Sequence, residues 1–95
     1  MIELLRKLCM TDGISGDEGS VRDTVISQIK DCCEYKVDNL GNIIAFKKGK
    51  NRAQKKVLTD AHLDEVGLII TSIEPNGFLR FKTVGGIDPT VLAFR

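Results

Sequence analysis

One histidine occurs in the whole chain, His62, and it stands among carboxylates, with Asp60, Asp64 and Glu65 in the same short stretch. If that stretch is extended, side chains at i and i+2 fall on one side, so His62 and Asp64 share a face while Leu63 and Glu65 share the other. A neutral imidazole suits zinc and neighbouring divalent ions, and a ligating histidine usually gives its second ring N–H to a carboxylate or carbonyl. His62 is therefore a candidate metal ligand and Asp64 the candidate group that orients it. The competing reading is a surface or structural histidine hydrogen-bonded to nearby acids. Catalytic zinc normally takes three protein ligands plus water. With one histidine and no Cys-x-x-Cys, a complete site needs carboxylates or residues that this sequence does not contain.

The elements that must position this stretch follow from apolar spacing. Val57 to Thr59 leads into it and is expected to be a buried strand inside a mixed sheet, delivering His62 at its carboxyl end. Ligand sites of open α/β sheets gather there, an argument from fold analogy. Ile2, Leu5, Leu8 and Cys9 recur at helical spacing, which predicts an amphipathic helix near residues 2 to 10. Ser15 and Glu18 have capping-box spacing, and Val21, Val25, Ile29 and Cys32 extend an apolar stripe, which predicts a second helix from about Asp17 to Cys33. The Gly13 to Gly16 turn lacks the downstream lysine and preceding strand of a phosphate loop, so it reads as a helix start.

Tyr35 to Val37 and Ile43 to Phe46 are expected to pair as a hairpin around Asp38–Asn42, with Gly41 and Asn42 supplying the turn chemistry. Leu68 to Ile73 and Phe78 to Val84 form a second predicted hairpin around Glu74-Pro75-Asn76-Gly77. Leu79 and Phe81 would share one face of it, Arg80 and Lys82 the other. A further apolar run, Thr90 to Phe94, stops at Arg95 without a cap, which reads as a chain cut short.

Composition bounds the partners. Fourteen Lys plus Arg against thirteen Asp plus Glu leave a formal charge of +1, so no global field points to nucleic acid or an anionic membrane. The basic stretch from Lys47 to Lys56 carries no aromatic platform for single strands and reads as a solvated hairpin tip. No apolar run reaches membrane-spanning length, and the N-terminus has no signal-peptide core, so a cytoplasmic protein is expected. Cys9, Cys32 and Cys33 are odd in number and include an adjacent pair, suiting buried free thiols in a reducing compartment more than a disulfide framework. Ninety-five residues at 42% hydrophobic content can bury one modest core or a piece of a larger one.

Four stretches, in order, resemble a known family. Ala61-His62-Leu63-Asp64-Glu65-Val66-Gly67 resembles the Ala-His-x-Asp-Glu-[Ile/Val]-Gly signature of the glutamyl aminopeptidase and cellulase M type metallopeptidases, which include the self-compartmentalising tetrahedral aminopeptidases. Gly13–Glu18 looks like the family's Gly-x-Ser-Gly-x-Glu, and Asp38–Ala45 like its Asp-x-x-Gly-Asn-[Leu/Ile]-Ile-Ala. Gly77–Phe81 with Gly85–Pro89 looks like Gly-Phe-Leu-Arg-Phe followed by Gly-Gly-x-Asp-Pro. Asp12 and Ile87 depart from the family's frequent Pro and Trp, outside the metal signature.

The resemblance implies the opening of an α/β peptidase domain over residues 1–66, two helices then strands of a mixed sheet, followed over 67–95 by the start of an inserted β-rich, barrel-like dimerisation domain. It implies an enzyme that removes N-terminal residues from peptides with two divalent ions, zinc or cobalt, and that assembles as a dimer-based homo-oligomer, up to a dodecamer. His62 would ligate one ion and Asp64 would be the catalytic carboxylate orienting it, while Glu65 is given no ligand role. The family's remaining ligands and general base match nothing in these residues, so the 95-residue chain by itself is expected to be inactive and largely metal-free. The alternatives are a stand-alone binding or assembly module and, ranked below it, an endoglucanase, whose chemistry needs a facing carboxylate pair that no spacing here selects.

Overall fold

The computed structural model describes residues 1–51 and 54–94. Helix α1, Ile2–Cys9, follows the apolar spacing at its start, carries Glu3 in its first turn and Arg6 and Lys7 in its last, each placed favourably for the helix dipole. It closes where the Met10 amide donates to the Arg6 and Lys7 carbonyls and the Thr11 hydroxyl donates to Lys7 O at 2.7 Å.

Helix α2, Gly19–Ile29, is shorter at both ends than the stripe suggests. At its start the Asp17 amide turns back to Ile14 O at 2.8 Å, and the Glu18 carboxylate accepts the Gly16 amide at 2.7 Å. Glu18 is thereby used within the turn, and no capping box forms with Ser15. At its end the amides of Cys32 and Cys33 both donate to Ile29 O, a tight turn that releases the chain into strand β1, Glu34–Val37.

Strand β1 pairs antiparallel with β2, Ile43–Phe46, in the register Val37 opposite Ile43 and Glu34 opposite Phe46. Gly41 sits at φ +86°, and Asp38 is the hub of the turn: its carboxylate accepts the amides of Leu40 (3.0 Å) and Asn42 (2.9 Å) and the Asn42 side-chain amide (2.9 Å). These bonds, foremost the Asn42 side chain, hold the Asp38 carboxyl below its ordinary pKa.

The second ladder pairs β3, Gly67–Ile73, with β4, Leu79–Val84. Ile70 faces Phe81 and Ile73 faces Leu79, with a bulge between Ile70 and Ser72. The extra residue brings Ile70 and Ile73, three apart, onto one face with Leu79 and Phe81, two apart. Glu74 and Arg80 form an ion pair beside the turn. Residues Pro89–Phe94, which take in the last apolar run, then form a 3₁₀ helix; Arg95 lies outside the described residues.

Three expectations are corrected. Val57 to Thr59 forms no strand, and Val57 and Leu58 are 92% exposed. Each described strand pairs within its own hairpin and none takes residues 57–59 into its ladder, so no mixed sheet forms among the described residues. The basic stretch is a connection out of β2 and not a hairpin tip, because β2 turns back on β1; Arg52 and Ala53, within it, lie outside the described residues. The cysteines are free but not buried: Cys9 and Cys32 are exposed and Cys33 is half-buried, since no described element packs over either position.

Val21 is the one buried hydrophobic side chain among the described residues. It lies against Gly13, where an added Cβ would stand 2.8 Å from Val21 Cγ1, and Gly67 likewise leaves room for the Ile14 side chain. These two close approaches hold α2, the turn before it and the start of β3 around the histidine stretch.

Candidate active site

Residues 58–64 run without regular structure along an open groove of about 880 Å³, whose other wall is made by Glu18 and Val25 at α2 and by Asp38 and Asn42 of the first hairpin turn. What fixes this stretch is its far end. Glu65 forms an isolated parallel bridge with Ile14: its amide donates to Gly13 O at 2.8 Å and its carbonyl accepts the Ser15 amide at 3.2 Å. Its carboxylate also accepts the Gly13 amide at 3.4 Å.

The structure brings the two sequence-predicted residues together, although by a local turn and not by a strand. His62 Nδ1 lies 3.0 Å from the Asp64 carbonyl oxygen and 3.1 Å from Asp64 Oδ1. A carbonyl oxygen only accepts, so Nδ1 carries a proton and Nε2 is the nitrogen left for a ligand. The His62 side chain is 86% exposed and that of Asp64 41%, which leaves Nε2 open on the groove side to a ligand. A ring held by a carboxylate and a carbonyl, with its other nitrogen open, has the arrangement of a metal-binding imidazole.

The set is incomplete. No group of three or more His, Cys, Asp or Glu side chains that could hold a metal ion occurs among the described residues. The donor chemistry of His62 fits one ligand position of a divalent ion and supplies no second.

Two residues around the site carry more than their sequence signals. Glu65 ties positions 13 to 15 to position 65, and nothing local in either segment announces so distant a pairing. Asp38 is the turn's acceptor, a role readable from an Asp four residues before an Asn, since short side-chain acceptors bond nearby amides in turns.

Residues 41–94 match the family model of the M42 glutamyl aminopeptidases, more than half of the chain, and the chain belongs to that family. It is 40% identical over 92 residues to a lysyl aminopeptidase of Pyrococcus furiosus, covering 95% of this chain and 26% of that protein. Among solved structures it superposes on the Pyrococcus horikoshii TET1 peptidase, described as assembling into a tetrahedron or a large octahedral shell, with TM-score 0.79 and 47% identity over 96% of this chain and 27% of that one. A Thermotoga maritima protein described as an endoglucanase superposes with TM-score 0.80 and 46% identity, over 93% of this chain and 28% of the other. The chain spans about a quarter of the length of the relatives it matches. Two helices followed by antiparallel strands are thus the α/β opening of the peptidase fold.

Proposed function

We propose that this chain works as the leading part of a dinuclear-metal aminopeptidase that removes N-terminal residues from peptides. The observation that carries the proposal is the His62–Asp64 contact, which holds the imidazole by Nδ1 and turns Nε2 outward inside the family's matched segment. His62 would donate Nε2 to one ion. Asp64 is the catalytic carboxylate in the sense that it fixes the tautomer and tilt of His62 and raises the basicity of its ligating nitrogen. The chemistry supplied by a pair of divalent ions, zinc or cobalt, is Lewis acidity toward the peptide carbonyl and a lowered pKa for water.

Residues 1–66 belong in this reading to the catalytic domain and 67–95 to the start of an inserted β-rich domain. The apolar face of Ile70, Ile73, Leu79 and Phe81, each 45% or more exposed, supports a role for the second part in packing against further protein. A dimer-based homo-oligomer, up to a dodecamer, in the cytoplasm is the assembly proposed, in line with the shell described for the P. horikoshii relative. No helix of the described residues is long and apolar enough to cross a membrane.

The glycosidase reading is disfavoured by geometry: the Asp64 carboxylate is committed to His62 and that of Glu65 to the Gly13 amide, so the two adjacent acids do not face a common bond. The test is hydrolysis of an aminoacyl nitroanilide by the whole protein with zinc or cobalt. His62→Ala should abolish turnover and Asp64→Asn should lower kcat by about a hundredfold, within the range that follows loss of a group orienting a metal ligand. Full activity in His62→Ala would refute the proposal.

A further inference from the structure

We propose that Cys32 and Cys33 form a vicinal dithiol site for a trivalent arsenical, separate from the histidine site. Their sulfur atoms lie 3.6 Å apart. Both backbone amides are anchored to one acceptor, Ile29 O, at 2.9 and 3.0 Å, and β1 begins at the next residue with Glu34 locked opposite Phe46. The backbone that aims the two thiols is therefore fixed on both sides.

The spacing selects chelation over oxidation. Two sulfurs 3.6 Å apart on a centre with bonds near about 2.3 Å subtend roughly 100°, the angle of a tetrahedral or pyramidal centre. A disulfide needs about 2 Å between the same atoms, so they would have to close by roughly 1.5 Å. The thiols also open on a surface cavity of about 320 Å³ lined by Phe46, Lys47 and Lys48, room for the organic group of the ligand. The hydrogen bond to Cys32 raises the Cys33 thiol above its ordinary pKa, against the opposing pull of Lys47.

The step balances without a redox partner. An organic arsonous acid, R–As(OH)₂, loses two As–O bonds and gains two As–S bonds. The two thiol protons leave with the hydroxyls as two waters, and arsenic stays trivalent.

The test uses the whole protein that this chain opens, reduced with a phosphine and treated with phenylarsine oxide in excess monothiol, read by intact mass. One arsenic per chain should be retained. Cys32→Ser and Cys33→Ser should each weaken retention about a hundredfold, the scale of a lost second attachment, and Cys9→Ser should leave it unchanged. Retention unchanged in either single variant, its loss in Cys9→Ser, or no uptake by the phosphine-reduced protein would overturn the proposal.

Discussion

Glu65 and Gly13, fifty-two positions apart, are joined twice: the Glu65 amide donates to Gly13 O at 2.8 Å, and the Gly13 amide donates to Glu65 Oε1 at 3.4 Å. Gly13 is also the position whose missing Cβ admits Val21. The turn before α2, the buried valine and the end of the histidine stretch are thus one joint, which sets where His62 stands relative to α2.

Gly13→Ala should open that joint. The added Cβ would stand 2.8 Å from Val21 Cγ1 and 3.2 Å from its Cβ, a clash that a β-branched side chain cannot relieve by bending away. Overpacking of this kind costs roughly 1–3 kcal/mol, and about 1.4 kcal/mol is tenfold in an opening equilibrium. Hydrogen exchange at the Glu65 and Ser15 amides should therefore accelerate about tenfold or more, while the Asn42 amide in the distant turn keeps its rate.

The first hairpin turn should loosen in acid. Folding lowers the Asp38 pKa, so its contribution is fully present above the unfolded value, near about 3.9, and is lost as pH falls through the lower folded value. Amide shifts of Leu40 and Asn42 should titrate together with a midpoint below that of an ordinary aspartate. Asp38→Asn should abolish the transition, and a midpoint at or above the ordinary value would contradict the role given to Asp38.

The 95-residue chain alone should unfold without a sharp transition. Its radius of gyration is 18.3 Å, against about 12 Å for a compact domain of this length, and Val21 alone among described hydrophobic side chains is buried. Calorimetry should show a broad, weak signal, and a hydrophobic dye should bind the exposed face of β3 and β4. A cooperative peak near the roughly 60–80 kcal/mol usual for about 100 residues would show that the apolar surface finds a partner within the chain.

Local chemistry was legible from the residues and long-range placement was not. Ile2, Leu5 and Leu8 mark α1, Asn76-Gly77 marks the second turn, and His-x-Asp marks the candidate pair, because each depends on neighbours within a few positions. Helix α2 is shorter than its apolar stripe, since Glu18 serves Gly16 and Ile29 gathers the two cysteine amides, competing bonds that apolar spacing does not register. Val57 and Leu58 have the composition of a buried strand, yet a strand needs a ladder partner, and composition says nothing about whether one lies alongside. The Ile14–Glu65 bridge joins segments too far apart for any periodicity to relate them.

The most direct measurement is the tautomer of His62, read from the nitrogen shifts of the ring in the ¹⁵N-labelled chain, where a sole histidine makes assignment unambiguous. The expected result is a neutral ring protonated on Nδ1 with a pyridine-like Nε2, with Nε2 the nitrogen perturbed by added zinc, and a shift toward the other tautomer in Asp64→Ala. A ring protonated at Nε2, with Nδ1 carrying the lone pair and no response to Asp64→Ala, would contradict the assignment of His62 as a metal ligand held by Asp64.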